Sequence, residues 1–179
     1  MRFDVYAPGA PVGADVVVVP PGLAETAAVL DELGALARAG RRLLGLGDGV
    51  ALLCAARLLP GTVTRAAPRA STHVRVEGRA TAFTWAIPAG RILALAGAAS
   101  DRGHVYVAPD DELASFAAGG RVVLRYCDAA GGLDNASGRA ATIAGVSDDT
   151  GRVVGILGGV SQSLDCALGR QIEACLARA

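Results

Sequence analysis

The chain has 179 residues, 52% hydrophobic and 19% charged, with a formal net charge of zero and a pI near 6.7. That is long enough for one well-buried domain, too apolar for a disordered chain, and too evenly charged for a nucleic-acid or anionic-membrane surface. All seventeen basic residues are arginine, which excludes a P-loop lysine or a Schiff-base mechanism.

The N-terminus is expected to be a short strand, Phe3 to Tyr6, and not a signal peptide, because no apolar run follows Arg2. A Pro/Gly loop leads to Ala14–Val19, whose four consecutive valines mark a strand buried on both faces. Ala24 to Ala39 has helical spacing, with Val29, Leu30, Leu33 and Leu36 on one stripe and Gly40 placed to end it. Arg42 to Leu46 reads as the next strand and Val50 to Leu59 as a helix stopped by Pro60-Gly61. Between them lies the glycine-pinched turn Gly45-Leu46-Gly47-Asp48-Gly49. This strand–helix–strand–helix order begins a doubly wound sheet.

The pattern then changes. Thr62–Arg65, Thr72–Val76, Arg91–Leu95 and His104–Val107 read as short strands. Pro109–Phe116 reads as a short helix whose first turn is acidic, suiting the positive end of its dipole. Arg121–Tyr126, Thr142–Ser147 and Arg152–Leu157 are three further strands, the last two joined by a hairpin turn at Asp148-Asp149-Thr150-Gly151. Leu164 to Ala179 closes the chain as an amphipathic helix with Ile172 and Cys175 inward. The expected fold is a flavodoxin-like α/β domain over residues 1–179: an open, mainly parallel sheet with helices on both faces and a mixed, antiparallel section in its second half.

The string Gly45-Leu46-Gly47-Asp48-Gly49-Val50-Ala51-Leu52-Leu53, running on to Leu58-Leu59-Pro60-Gly61, lies without a gap along the pattern G-I-C-N-G-F-Q-x-L…L-L-P-G. Val123-Leu124-Arg125-Tyr126-Cys127-Asp128 follows V-x-x-Y-x-D, and Ile143-Ala144-Gly145-Val146 follows I-A-G-I. Gly151 to Leu157 precedes the place of an M-P-H-P-E stretch. In this order these stretches resemble the class I glutamine amidotransferase family, and within it the glutaminase subunits of phosphoribosylformylglycinamidine synthase. The resemblance implies a cysteine nucleophile at the elbow, with a histidine base and an orienting glutamate in P-H-P-E. Here those positions are Gly47, Gly159 and Ser161. The family's oxyanion turn L-P-G-G reads Val19-Pro20-Pro21-Gly22, and Pro21 has no N–H to donate. Little of the family's H-G-E-G motif survives between Ala98 and His104, and a helix and a strand expected between Tyr6 and Ala14 are missing.

The resemblance therefore implies a pseudo-glutaminase. Its partner would be a synthetase subunit resembling the large subunit of formylglycinamidine synthase, or a paralogue of it, in an ATP-dependent complex of the purine-biosynthesis type. No catalytic residue of the old reaction is expected. The emptied pocket around Gly22, Gly47, Asp48, Gly49, Gly158 and Gly159 could instead hold a small metabolite, or a new enzyme could use Asp48, Asp101 or His104. The turn does not make a dinucleotide fingerprint, because Val50 stands where a third small residue is needed. An anion at the helix N-terminus would be opposed by Asp48. Cys54, two turns beyond Gly47 among leucines, reads as a buried inert thiol. His73 and His104 read as ordinary surface or half-buried histidines, and Ser161 as the cap of the last helix. The other cysteines, Cys127, Cys166 and Cys175, form no C-x-x-C pair, and two histidines leave no zinc set. Reduced thiols in a cytoplasmic protein with no metal and no cofactor are expected, with no nucleic-acid or membrane partner.

Overall fold

The computed structural model describes residues 3–65, 73–78, 81–95, 104–133, 142–157, 170–172 and 174–175. An eight-stranded sheet carries the fold, in the order β1 (Phe3–Val5), β2 (Val16–Val19), β3 (Arg42–Leu46), β10 (Val153–Ile156), β9 (Ile143–Ser147), β8 (Val122–Cys127), β5 (His73–Val76), β6 (Ile92–Ala94). Its first four strands run parallel, and every later pairing is antiparallel. A second, two-stranded sheet pairs β4 (Thr62–Arg65) with β7 (His104–Val107). The strands, the parallel-then-antiparallel division and the hairpin between β9 and β10 all fall where the sequence places them.

The valines explain the centre. β2 alternates its side chains, so Val16 and Val18 enter one core while Val17 and Val19 enter the other. All four are buried. Helices α1 (Ala27–Arg38), α2 (Asp48–Ala55) and α3 (Asp110–Ala118) pack on the Val17 face through Val29, Leu33, Val50, Leu53, Leu113 and Phe116. The opposite face is covered by Phe83, Ile87, Ile172 and Cys175. Backbone at 170–172 and 174–175 is helical, with Ile172 and Cys175 buried as the stripe requires. Ser161 and Cys166 lie outside the described residues.

Thr26 caps α1, its hydroxyl accepting the Val29 N–H at 3.3 Å. α2 is shifted from the expected Val50–Leu59: it begins at Asp48, because the glycine turn opens straight into it, and ends at Ala55. Arg57 then takes a positive φ of 58° to turn the chain toward Pro60.

One covering element has no counterpart in the sequence pattern. Residues 81–87 coil over the sheet, and the buried Thr81 and Thr84 hydroxyls bond each other at 2.7 Å. No hydrophobic periodicity marks this segment; threonines that satisfy one another locally are its signal.

β1 and β2 are parallel neighbours, yet residues 6–15 join them as a loop and not as a helix. The Asp4 carboxylate gathers this loop by accepting the Gly13 and Ala14 N–H groups at 2.8 and 2.9 Å. Tyr6 donates to Glu32 of α1 at 2.6 Å. With no helix over them, Phe3 and Val5 are 47% and 61% exposed. Among the described residues no helix is long and apolar enough to cross a membrane.

Candidate functional site

The site is set by β3 and its neighbours at the carboxyl end of the parallel strands, where open α/β sheets place their ligands. β3 runs between β2 and β10, and the Gly47 N–H extends that pairing by donating to the Ile156 carbonyl at 2.9 Å. Gly47 then turns with φ 53° and ψ −119°, and α2 starts at the next residue. This is the sharp strand-to-helix elbow that lifts one side chain above a sheet, a backbone that a residue with a Cβ adopts only under strain.

The three glycines of the turn do different work. A Cβ on Gly49 would lie 2.2 Å from the Val19 carbonyl oxygen, and one on Gly45 would lie 2.6 Å from Leu53 Cδ1. Those two let α2 rest directly on β2 and β3. Among the described residues, a Cβ on Gly47 would meet only Pro21 Cβ, at an ordinary 3.6 Å. No described atom crowds a Cβ at Gly47, and the elbow carries no side chain there.

Of the expected pocket residues, Gly22, Gly47, Asp48 and Gly49 lie among the described residues. Pro21 is half-buried and faces the elbow, and Gly22 turns with φ 89°, with no described atom within 4 Å of where its Cβ would stand. Gly158, Gly159 and Ser161, following β10, lie outside the described residues, as does Asp101. Asp48 sits in the first turn of α2, where its charge complements the helix dipole.

His104 requires a correction. Expected at the surface or half-buried, it is 4% exposed, and its Nε2 forms an ion-pair contact with Asp48 Oδ1, without hydrogen-bond alignment. The pairing of β7 with β4 brings the two together, since His104 opposes Arg65 and β4 follows α2. Sequence spacing could not reveal this, because the two residues lie on elements far apart in the chain. His73 is half-buried on β5, opposite Cys127.

Cys54 is an inert thiol, as its setting among leucines implies. It is buried, its Sγ lies 3.6 Å from the Pro60 carbonyl, and burial pushes its pKa up to about 11. Burial also raises the Cys127 thiol. Cys54, Cys127 and Cys175 are free, and no group of three metal-ligating side chains occurs among the described residues.

No family profile matches the chain. Individual proteins do. Phosphoribosylformylglycinamidine synthase subunit PurQ of Bradyrhizobium diazoefficiens is 34% identical, over 94% of this chain and 81% of that protein. PurQ of Rhodopseudomonas palustris is 33% identical over the same shares. PurQ of Mycobacterium tuberculosis is 36% identical over 81% of this chain and 68% of its own length. Among solved structures, PurLQS from Thermotoga maritima superposes with a TM-score of 0.64 at 20% identity, covering 92% of this chain and 79% of that one. A putative GMP synthase component from Thermoplasma acidophilum gives 0.55 at 14% identity, covering 92% and 71%. The fold likeness and the identity over most of both lengths agree with the elbow and strand motifs: this chain belongs to the PurQ family of phosphoribosylformylglycinamidine synthase subunits.

Proposed function

We propose that this chain is a PurQ-type subunit, one domain over residues 1–179, that no longer hydrolyses glutamine and acts in the cytoplasm as a structural or regulatory partner of an ATP-dependent synthetase subunit. The observation that carries this reading is Gly47: an elbow of nucleophile-mounting geometry holds a glycine at its apex and so no nucleophile. A glycine can neither attack an amide nor form a covalent intermediate. Pro21 beside it lacks the N–H that an oxyanion would need, and the resemblance puts glycine at the base position 159 and serine at 161. Losses within one catalytic unit do not add, so restoring one member restores little. The partner follows from the family's association with PurL in a complex such as the Thermotoga PurLQS.

The test is glutamate release from glutamine by the purified protein, alone and with its co-expressed synthetase subunit. The wild type and Gly47→Cys are both expected to stay at background, while the synthetase subunit co-purifies and uses free ammonia. Glutamate release by either form, or failure to co-purify, overturns the reading.

A second reading has one observation in its favour, the Asp48–His104 pair beside the elbow. A repurposed site could use it for acid–base chemistry. Amide or ester hydrolysis by the wild type that disappears in His104→Gln, with the fold intact, would replace the first reading.

A further inference from the structure

Helices α1, α2 and α3 close with the same turn, and α2 closes it with an unexpected residue. After α1, the Gly40 N–H donates to the Ala37 carbonyl and the Arg41 N–H to that of Leu36, at 2.9 and 3.1 Å. After α3, the Gly120 N–H donates to Ala117 and the Arg121 N–H to Phe116, at 3.1 and 2.8 Å. After α2, the Arg57 N–H donates to Cys54 and the Leu58 N–H to Leu53, both at 2.9 Å. This pair of bonds needs left-handed backbone at its first donor, the usual place for glycine. Gly40 and Gly120 supply it with φ 79° and 68°. Arg57 supplies it with φ 58°, and among the described residues it is the one non-glycine with a positive φ. A cation suits the negative end of a helix, but the exposed Ala55, on helical backbone, would carry one there without strain. Strain at one residue persists where that side chain is needed at that point.

Arg57 is exposed and lines a cleft of about 470 Å³, at the end of α2 far from the elbow and beside the β9–β10 turn. The volume lies within the roughly 300–1,000 Å³ range of small-molecule sites. Leu58 and Leu59 give it an apolar side. Two of its charged groups are engaged. Arg121 Nε donates to the Ser147 carbonyl at 3.4 Å, and its guanidinium lies 4.8 Å from the centre of the Phe116 ring. The Asp148 carboxylate accepts the Thr150 hydroxyl and, at 2.9 Å, the Val153 N–H. The other two are uncommitted: among the described residues, neither Arg57 nor Asp149 has an ion pair or a side-chain hydrogen bond, with each other or with anything else. The cleft thus presents one cation and one carboxylate that do not neutralise each other. A ligand with a single charge satisfies one of them, and a small zwitterion satisfies both. A guanidinium takes a carboxylate through paired N–H bonds, and a carboxylate accepts from an ammonium.

We propose that this cleft binds a free α-amino acid, its carboxylate on Arg57, its ammonium on Asp149 and an apolar side chain along Leu58 and Leu59. The site holds whether or not glutamine is hydrolysed at the elbow. Its test uses L-leucine, with 4-methylpentanoate, which lacks the ammonium, and 3-methylbutylamine, which lacks the carboxylate, as comparison arms. Leucine is expected to raise the melting temperature as its occupancy grows. It should also shift the backbone amide resonances of Arg57, Gly61 and Asp149, leaving those of Gly47 and Asp48 unmoved. Each analogue should bind roughly tenfold more weakly, the loss of one charge-assisted contact. Arg57→Gly separates binding from structure: glycine relieves the positive φ, so this variant should melt above the wild type while its leucine affinity falls roughly tenfold. Asp149→Asn should lose affinity to a similar degree with the melting temperature unchanged. An analogue that binds as tightly as leucine, no response to leucine, or shifts centred on Gly47 would each overturn the proposal. So would an Arg57→Gly variant that melts below the wild type or binds leucine undiminished.

Discussion

The two halves of the large sheet treat space in opposite ways. In the parallel half, β2, β3 and α2 lie so close that Gly49 leaves its missing Cβ only 2.2 Å from a backbone oxygen. In the antiparallel half, the face turned to α3 carries two arginines in register, two carboxylates and an open volume. The parallel half keeps the architecture of an elbow around a glycine that carries no side chain. The antiparallel half carries charged groups that no core would need. Packing constraints therefore explain why the elbow persists; they do not explain the arginines. That difference separates a close-packed scaffold from a polar, more open face.

The sharpest way to break this comparison is to put the same methyl group at two points of the elbow. Gly49→Ala forces a Cβ against the Val19 carbonyl, a backbone atom that cannot swing aside, so α2 must lift from β2. The expected cost is about 3 kcal/mol or more, at the upper end of overpacking effects. Gly47→Ala meets no described atom closer than Pro21 Cβ at 3.6 Å and bears the positive-φ strain, about 1–2 kcal/mol. Urea unfolding of the two variants measures the difference. If Gly47→Ala costs as much as Gly49→Ala, the elbow is not roomy and the scaffold argument fails.

A smaller effect is expected where the second sheet supports the end of α2. Tyr106 on β7 is fully buried and donates to the Pro60 carbonyl at 2.5 Å, just past the end of that helix. Tyr106→Phe leaves this carbonyl with only the weak Cys54 thiol contact at 3.6 Å. A loss of about 1–2 kcal/mol is expected in thermal or denaturant unfolding, the cost of stranding one buried acceptor. A neutral result would mean that water reaches Pro60 and that β4 and β7 pack more loosely than β2 and β3.

What the sequence made legible divides along the same line. Runs such as Val16–Val19 and Arg42–Leu46 declare buried strands by composition alone, and the turn Gly45 to Gly49 declares the elbow by its glycines. These are local signals, and the structure places them as read. The Asp48–His104 contact and the Arg75–Arg125 register are not local. Each depends on which strand lies beside which, and β5 pairs with β8 across the whole of β7 and α3 in sequence. A motif reading treats Arg75 and Arg125 as polar residues alternating on two unrelated strands. Only the antiparallel register turns them into neighbours.

The smallest effect belongs to the edge of the parallel half, where the loop of residues 6–15 joins β1 to β2. There Glu32 accepts from the Tyr6 hydroxyl and from the Gly9 N–H, and the Tyr6 hydrogen bond, ahead of the Gly9 one, lowers its pKa below the ordinary carboxylate value. The folded state thus binds a proton at Glu32 less readily than the unfolded chain does. Its contribution to stability is full above the unfolded carboxylate pKa and is lost as the pH falls through the lowered folded value. Tyr6 shifts the other way, raised chiefly by burial and then by the Glu32 hydrogen bond, so its contribution is present below the unfolded tyrosine pKa and lost as the pH climbs through the raised one. Glu32→Gln should therefore flatten the acid limb of the stability–pH curve while leaving most of the alkaline limb, because burial of Tyr6 remains. Unchanged steepness on the acid side would mean that Glu32 does not hold the loop, and that Asp4, with its two N–H contacts to Gly13 and Ala14, holds it alone.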